Sequence, residues 1–436
     1  MSSAIPSSSP GQPRLHYAWV MFIVTFIVLL GASGFRSAPG VLIVPLQEAF
    51  GWDRATISLA VSINLLLFGF MGPFAAALME RFGIRRVVAS ALAVIASGAA
   101  LTLVMTEPWH LYLSWGVMVG LGAGCMATVL AATVSVRWFA ARRGLVTGAL
   151  TAASATGQLA FLPLIGWLAD RYGWEAVSIT VALMCASVIP LVVIFMRDRP
   201  ADLGLRRYGA TAEDVPPGPR VNPIGAAYSS LKMASRSGDF WILAATFFVC
   251  GATTNGLIGT HLIPAGHDHG MSTVAAANLL ALIGIFDIVG TIGSGWLTDR
   301  FDPRKLLFIY YAFRGLSLLG LTYVLGSVNF GLVAFIVFYG LDWVATVPPT
   351  IALCTQAFGT RQGPLVYGWV FAAHQVGAAV VAYLAGVTRT ITGDYALAFN
   401  FAGALAIIAA ILILQMNPAA RDAQPVPVEP APSRAS

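Results

Sequence analysis

Twelve long apolar stretches constrain this chain more than any other feature of its sequence. A helix needs about 20 mostly apolar residues to cross the roughly 30 Å of hydrocarbon in a bilayer. Only 10% of the residues are charged, whereas soluble domains carry about a quarter. We therefore predict an all-α integral membrane protein. Its spans, numbered helix 1 to helix 12, are 17–46, 55–79, 87–106, 109–136, 144–168, 174–196, 239–264, 272–297, 305–326, 329–356, 364–388 and 395–416.

Basic residues are distributed unevenly between the two sides that these spans define. If the N-terminus is inside, the opposite side keeps only Arg54, Arg171 and Arg389, while Arg36 and Arg314 fall within spans. Lys and Arg mark cytoplasmic loops, so we expect both termini in the cytoplasm. Compact loops without glycosylation sequons suit a bacterial inner membrane. The net charge of +6 follows from this bias, and no nucleic-acid partner is expected.

The apolar stretch of helix 1 is too long for the core of a signal peptide. No small-residue cleavage site follows it, so we expect helix 1 to be retained. The segments 1–16 and 419–436 are polar and rich in proline. Such composition predicts disordered cytoplasmic tails.

The two halves of the sequence repeat each other. Residues 45–86 align without a gap to residues 264–305, and the match continues through helices 5 and 11. We therefore predict two pseudo-symmetric six-helix bundles, 17–196 and 239–418, joined by a cytoplasmic linker over 197–238. Parallel repeats around a midplane site are typical of secondary transporters. The matched pairs include Pro45 with Pro264, Gly51 with Gly270, Glu80 with Asp299, Arg81 with Arg300 and Arg85 with Arg304.

The turns after helices 2 and 8 carry the same order of charges, MERFGIRR at 79–86 and TDRFDPRK at 298–305. An acid there can pair with basic groups and a helix terminus across the interface between the bundles, and so hold one conformation. A positive-inside anchor explains the basic residues but not the acid–Arg order seen twice. The candidate residues for conformational gating are Glu80, Arg81, Arg85, Asp299, Arg300 and Arg304.

These turns resemble the signature loop of the major facilitator superfamily, Gly-x-x-x-Asp-Arg-x-Gly-x-Arg-Arg/Lys. The first copy has Ala76 for the Gly and Glu80 for the Asp, and the second has Asp302 in place of the later Gly. Within the superfamily, RWFAARRGLVTGALTAASATGQ at 137–158 and GVLIVPLQEAFGWDRATIS at 40–58 resemble the fifth-helix entry motif and the first loop of the monocarboxylate porter family. The resemblance implies alternating access between two bundles and movement of a small organic anion with protons.

Asp287 and Arg314 are candidates for proton coupling. An ionisable residue inside a span costs at least about 2.5–3.5 kcal/mol on insertion scales. Asp287 on helix 8 and Arg314 on helix 9 lie at similar depths and could form an ion pair, either coupled to protons or bracing the two helices. Monocarboxylate porters usually carry an Arg one turn after the helix 8 Asp. Here that position is Thr291. Our hypothesis is that Arg314 supplies the missing charge; the alternative is that this protein handles its substrate differently.

Asp342 on helix 10 is followed by Pro348 and Pro349, which free backbone carbonyls. We expect Asp342 to face the central cavity and contact substrate, with a structural cap or a pair with Arg314 as alternatives.

The first candidates for binding a substrate carboxylate are Arg36 on helix 1 and His374 on helix 11. A guanidinium matches a carboxylate with two parallel hydrogen bonds, and a protonated His binds an anion or relays a proton. Snorkelling of Arg36 and simple packing of His374 are the structural alternatives. Secondary candidates are Asn64, Gln158, Asn255 and His261.

No cofactor or metal is expected. The four cysteines, in apolar spans, lack paired spacing, and His267-Asp268-His269 reads as solvated loop polarity. No nucleotide loop, nucleophile elbow or zinc-helix motif is present, so we do not expect an enzyme.

The predicted function is secondary active transport of a small organic anion with protons by a monomer, since two complete halves suffice. A drug exporter working by proton antiport and a non-transporting membrane receptor are the alternatives. The receptor is disfavoured because the tails and linker are short.

Overall fold

The computed structural model describes residues 16–126, 128–210, 223–326 and 329–416. Certain side chains within its helices, among them those of Arg36, Gln158 and Arg361, lie outside that description. The predicted tails, apart from residue 16, and the proline-rich part of the predicted linker are also outside it. In the described part, strand pairing amounts to an isolated bridge between Phe139 and Tyr208.

The N-terminal bundle contains helices 1 to 6. Helix 4 has a π-helical segment, Tyr112–Val119, near its start. Helices 5 and 6 are continuous, but Gly173 has φ 82° and ψ −177°, a conformation that L side chains rarely adopt, and the chain changes direction there. The bounds are Tyr17–Phe50, Arg54–Phe82, Ile84–Leu101, Pro108–Trp138 and, for helices 5 and 6 together, Arg143–Phe195.

The C-terminal bundle contains helices 7 to 12. Helix 7 is α-helical at both ends and π-helical over Ala252–Ile258. The α-helix of helix 10 stops at Asp342, resumes at Val347 and bends at Gly359 into helix 11. The bounds are Gly238–Asp268, Thr273–Thr298, Pro303–Val324, Phe330–Asp342 with Val347–Thr392 for helices 10 and 11, and Ala396–Ile413.

The predicted spans agree with these helices to within a few residues at most ends. In the described part, 11 helices are long and apolar enough to cross a membrane. The difference from twelve arises because helices 5 and 6 follow each other without a connecting loop and count as one stretch, although the chain bends at Gly173 between them. The all-α membrane fold is confirmed.

The sequence repeat is visible in matching turns. Gly51 ends helix 1 with φ 71°, and its repeat partner Gly270 follows helix 7 with φ 86°. Two residues later the side chains of Asp53 and Ser272 each accept a hydrogen bond from the backbone N–H three residues on. A side-chain acceptor at this position satisfies an N–H that the first helical turn leaves free. Helices 2 and 8 therefore begin in the same way.

The predicted linker contains more structure than its composition indicated. Its second part forms a helix, Pro223–Ala234, whose sequence has no internal Pro after its first position and buries Ala234 completely. Its first part docks onto the N-terminal bundle, where the Tyr208 N–H donates to the Trp138 carbonyl at 2.8 Å.

The bundles pack against each other at the end opposite the MERFGIRR and TDRFDPRK turns, which we call the outer end. A Cβ on Gly40 of helix 1 would lie 3.0 Å from the Thr260 carbonyl of helix 7. A Cβ on Gly386 of helix 11 would collide with Ser58 of helix 2. Small residues at such points allow helices to approach closely, and here they close the outer end.

Candidate functional site: a charged cluster at the break in helix 10

The break in helix 10 exposes backbone groups inside the membrane region. Pro348 and Pro349 follow the break, and a proline leaves the carbonyl four residues earlier without its usual N–H donor. For Pro349 that carbonyl belongs to Ala345, and the Ser294 hydroxyl of helix 8 donates to it at 2.5 Å. The freed carbonyl expected from the prolines is thus present and satisfied by a neighbouring helix.

Arg314 of helix 9 binds the end of helix 10 that precedes the break. Its Nε donates to Oδ2 of Asp342 at 2.6 Å, and its Nη2 donates to the carbonyls of Asp342 at 2.6 Å and Trp343 at 3.2 Å. The last carbonyls of a helix carry partial negative charge. One fully buried guanidinium therefore neutralises an acid and caps a helix end.

Aromatic and polar side chains of three helices enclose this guanidinium. Its central carbon lies 5.7 Å and 6.0 Å from the ring centroids of Tyr311 and Tyr339, at the range where cation–π attraction acts. Nη1 donates to the Cys250 thiol at 3.0 Å. Tyr339 in turn donates to the Thr253 carbonyl at 2.7 Å. The surroundings hold Arg314 in one position.

Asp287 of helix 8 binds the other side of the break. Its Oδ1 accepts from the Val344 N–H and from the Thr291 hydroxyl, both at 2.9 Å. The sequence left open an ion pair between Asp287 and Arg314, and in the structure Arg314 pairs with Asp342 instead. The reason is that the broken turn offers carbonyls to Arg314 and an N–H to Asp287.

The pairing also changes the expected position of Asp342. We expected Asp342 to face the central cavity, but it is 5% exposed and pairs with Arg314, as one alternative proposed. Its Oδ1 has no hydrogen-bond partner among the described residues. Two carboxylates and one guanidinium surround the break, so one negative charge is uncompensated when both acids are ionised. Burying an unpaired charge is costly, and the cluster is chemically able to take up one proton.

The candidates for substrate binding are spread over both bundles. His374 is 7% exposed, with its ring centroid 4.9 Å from that of Phe247 and 5.6 Å from that of Phe371. Asn64 donates to the Trp115 carbonyl at 2.8 Å and so joins helix 2 to helix 4. The backbones of Arg36 and Gln158 lie in helices 1 and 5, but their side chains are outside the described set.

The other two candidates lie on helix 7. Asn255 is in the π-helical segment, where its carbonyl accepts from the Thr260 hydroxyl at 2.8 Å. His261 is fully buried, and its ring nitrogens lie 3.2 Å from the Tyr395 hydroxyl and 2.7 Å from the Ala382 carbonyl. Its ring braces helix 7 against helix 11 and the start of helix 12.

The acids of the two signature turns differ in their contacts. Glu80 forms an ion pair with Arg137 of helix 4, inside the N-terminal bundle. Asp299 ends helix 8 and is exposed. We expected these acids to pair across the bundle interface, but the Glu80 pair stays within one bundle. Hydrogen bonds between the bundles are described at the outer end instead.

The basic residues of these turns also find partners nearby. The guanidinium carbon of Arg81 lies 5.2 Å from the Phe82 ring centroid, and that of Arg300 lies 4.1 Å from the Trp296 ring centroid. Arg304 pairs with Asp302 at 2.7 Å and donates to the Met416 carbonyl at 2.9 Å.

A capping interaction accounts for the departure of the second turn from the signature. The Asp302 side chain accepts from the Arg304 N–H at 3.0 Å at the start of helix 9. In the first turn, Asp198 accepts from the Arg85 N–H at 2.9 Å, and a Cβ on Gly83 would collide with that carboxylate. Each helix therefore receives an Asp cap, from the turn itself or from the segment after helix 6.

A cross-bundle network at the outer end was not predicted from the sequence. Arg54, at the start of helix 2, donates to both carboxylate oxygens of Asp268 on helix 7, at 2.5 Å and 2.7 Å. Arg389 of helix 11 donates to Asp268 at 2.7 Å, and Arg54 also donates to the Tyr395 hydroxyl at 3.0 Å. The sequence did contain a signal for this network: a basic residue, Arg54, after helix 1 and an acidic residue, Asp268, at the repeat-related end of helix 7.

This network also explains the His267-Asp268-His269 segment. Asp268 is bound by arginines, and Nδ1 of His269 lies 2.8 Å from the Ala265 carbonyl. In the described part of the chain, His, Cys, Asp and Glu form no group of three or more that could hold a metal ion. The four cysteines are buried thiols.

Comparison with known proteins places the chain among transporters. The family model described as Major Facilitator Superfamily matches residues 21–363. "Uncharacterized MFS-type transporter YcxA" of Bacillus subtilis (strain 168) is 29% identical over 94% of this chain and 98% of its own length. "Monocarboxylate transporter 13" of Bos taurus is 30% identical over 89% of this chain and 86% of its own length.

The fold has solved counterparts. The xylose transporter XylE from E. coli, in a partially occluded inward open conformation, superposes with a TM-score of 0.69 at 13% identity. The match covers 92% of this chain and 98% of that one. At this identity the likeness establishes the fold alone.

Proposed function

This chain belongs to the major facilitator superfamily, and on that premise we propose that it moves a small monocarboxylate-like anion together with a proton by alternating access. The observation that carries the proposal is the cluster of Asp287, Arg314 and Asp342 around the break in helix 10. The named monocarboxylate transporter among the relatives supports the choice of substrate class. The bacterial inner membrane, with both termini cytoplasmic, is the proposed location.

The proton is proposed to bind the carboxylates of the cluster. With both acids ionised, one negative charge in the membrane interior is unbalanced, and a proton removes it. Protonation of either acid would change which groups hold the ends of the broken helix. Helix 10 is therefore the element whose position the proton biases.

Arg36 and His374 are proposed to bind the carboxylate of the substrate. They belong to helices 1 and 11, one in each bundle, so an anion between them would contact both bundles. Contact with both is what a substrate needs in order to favour a closed intermediate over either open state. The signature-turn residues are proposed to hold the cytoplasmic ends in one conformation.

The experiment uses purified protein in liposomes and labelled short-chain monocarboxylates. Uptake driven by an inward proton gradient is compared with exchange of labelled for unlabelled substrate, for wild type, Asp287→Asn and Arg36→Ala. We expect Asp287→Asn to lose gradient-driven uptake and keep exchange, because the coupling proton is lost. Arg36→Ala should lose both, because the anion no longer binds.

Asp394→Asn is the control, because Asp394 is an exposed acid whose side chain accepts from the Ala396 N–H at the start of helix 12, and the Asn side-chain oxygen can accept the same hydrogen bond. It should behave as wild type. If wild-type protein in liposomes transports no monocarboxylate, the proposed anion substrate is wrong. Antiport of organic cations or drugs is then the hypothesis to test. If Asp287→Asn retains full gradient-driven uptake, the proton does not act through Asp287.

A further inference from the structure

The outer end of the molecule is closed by polar contacts between the two bundles. The Ala55 N–H at the start of helix 2 donates to the Thr390 hydroxyl of helix 11 at 3.2 Å. The Val274 N–H at the start of helix 8 donates to Asp170 near the end of helix 5 at 3.2 Å. Each contact joins one bundle to the other at the outer ends of their helices.

The ion pair between Arg54 and Asp268 is the strongest of these contacts. Both Nη atoms of Arg54 reach the carboxylate, and a two-point charged contact is stronger than neutral hydrogen bonds. Arg54 is only 5% exposed, so water and salt screen the pair less than they screen a surface pair. Alternating access requires the outer ends to separate, and separation breaks this pair.

Each charge keeps a partner in its own bundle when the pair breaks. Asp268 is also bound by Arg389 at 2.7 Å, and both residues belong to the C-terminal bundle. Nε of Arg54 donates to the Gln47 side chain of helix 1 at 2.9 Å, within the N-terminal bundle. Neither charged group therefore loses all of its partners when the outer end opens. Opening costs less free energy than breaking an isolated buried pair would.

We propose that Arg54 and Asp268 form a reversible ionic gate that holds the outer end closed. The gate rests on alternating access, as in the proposed function, but on no particular substrate. Arg389 holds the Asp268 carboxylate in place within the C-terminal bundle. Arg54 therefore moves away from Asp268 when the bundles separate. Opening of the gate exposes the substrate path to the outside.

The test measures the distance between the outer ends. Cysteines introduced at Ala49 and Ala275, both exposed and one in each bundle, carry spin labels, and electron–electron distances are recorded without substrate. The native cysteines are buried, and protein without introduced cysteines measures any background labelling. We expect Asp268→Asn and Arg54→Gln each to raise the ratio of long to short distances by roughly tenfold, because each variant removes the charged contact that favours the closed outer end. Roughly tenfold is the change in an equilibrium that loss of one charged hydrogen bond produces.

Arg389→Gln is the matched control. It removes a charged contact to the same carboxylate within a single bundle. Because that contact is the partner Asp268 keeps on opening, the ratio of long to short distances should stay at or below that of wild type. The double variant Arg54→Gln/Asp268→Asn should shift the distribution no further than either single variant, because both disrupt one pair. Additive effects would mean that the two residues act independently.

An unchanged distance distribution in both single variants overturns the gate, as does an equal shift in Arg389→Gln. The measurement uses no transported compound. Its failure therefore leaves the proposed anion transport standing, while absence of anion transport leaves the gate standing.

Discussion

Arg314 uses its whole guanidinium, donating to a carboxylate, two carbonyls and a thiol. Removing one partner of a buried ion pair leaves the other charge uncompensated, at a cost of about 3–5 kcal/mol. We therefore expect Arg314→Gln to lower the thermal unfolding midpoint strongly in detergent. Arg314→Lys should also lower it, since a single ammonium cannot reach the same fork of acceptors.

The double variant Arg314→Gln/Asp342→Asn separates stability from function. Without a buried charge at either position it should recover much of the lost stability, because neutral replacements of a buried pair are often tolerated. Gradient-driven transport should be lost, since Arg314 and Asp342 no longer hold the end of the broken helix whose contacts protonation is proposed to change. A double variant as unstable as Arg314→Gln would show that the loss of stability comes from lost packing of the Arg314 side chain and not from the uncompensated charge of Asp342.

Helices 8 and 10 touch at glycines, and this contact sets the geometry of the cluster. A Cβ on Gly290 would collide with the Leu341 carbonyl, next to Asp342, whereas a Cβ on Gly293 would meet nothing within 4 Å. Overpacking costs about 1–3 kcal/mol, so Gly290→Ala should reduce both the unfolding midpoint and transport. Gly293→Ala, on the same helix, should leave both near wild type. Equal effects of the two substitutions would contradict this contact.

The helices themselves could be predicted from the sequence because long apolar runs and repeated turn residues are local signals. The prolines at 348 and 349 also indicated freed carbonyls, and Ala345 provides one. The sequence offered both Asp287 and Asp342 as partners of Arg314 and could not decide between them, since equal depth does not say which face of a helix meets which neighbour. Asp287 and Arg314 lie at similar depth, yet the broken turn of helix 10 gives each a different partner.

At the scale of the whole molecule, one charged network joins the two bundles and another lies inside the C-terminal bundle. The outer network joins the bundles through Arg54 and Asp268, and the inner cluster surrounds the break in helix 10. The outer pair was not predicted because its residues are 214 positions apart and belong to different bundles. Folding of each half alone would not create it. We propose that the inner cluster binds the proton and that the outer pair controls access.

Lumenal acidification of liposomes tests the central claim most directly. Purified protein is reconstituted around an impermeant pH-sensitive dye, and an unlabelled monocarboxylate is added outside at equal pH. Protein-free liposomes measure diffusion of the undissociated acid. We predict that the lumen of wild-type liposomes acidifies faster than this background, because each anion enters with a proton. Acidification no faster than in protein-free liposomes, with correctly folded protein and every monocarboxylate tried, would contradict it.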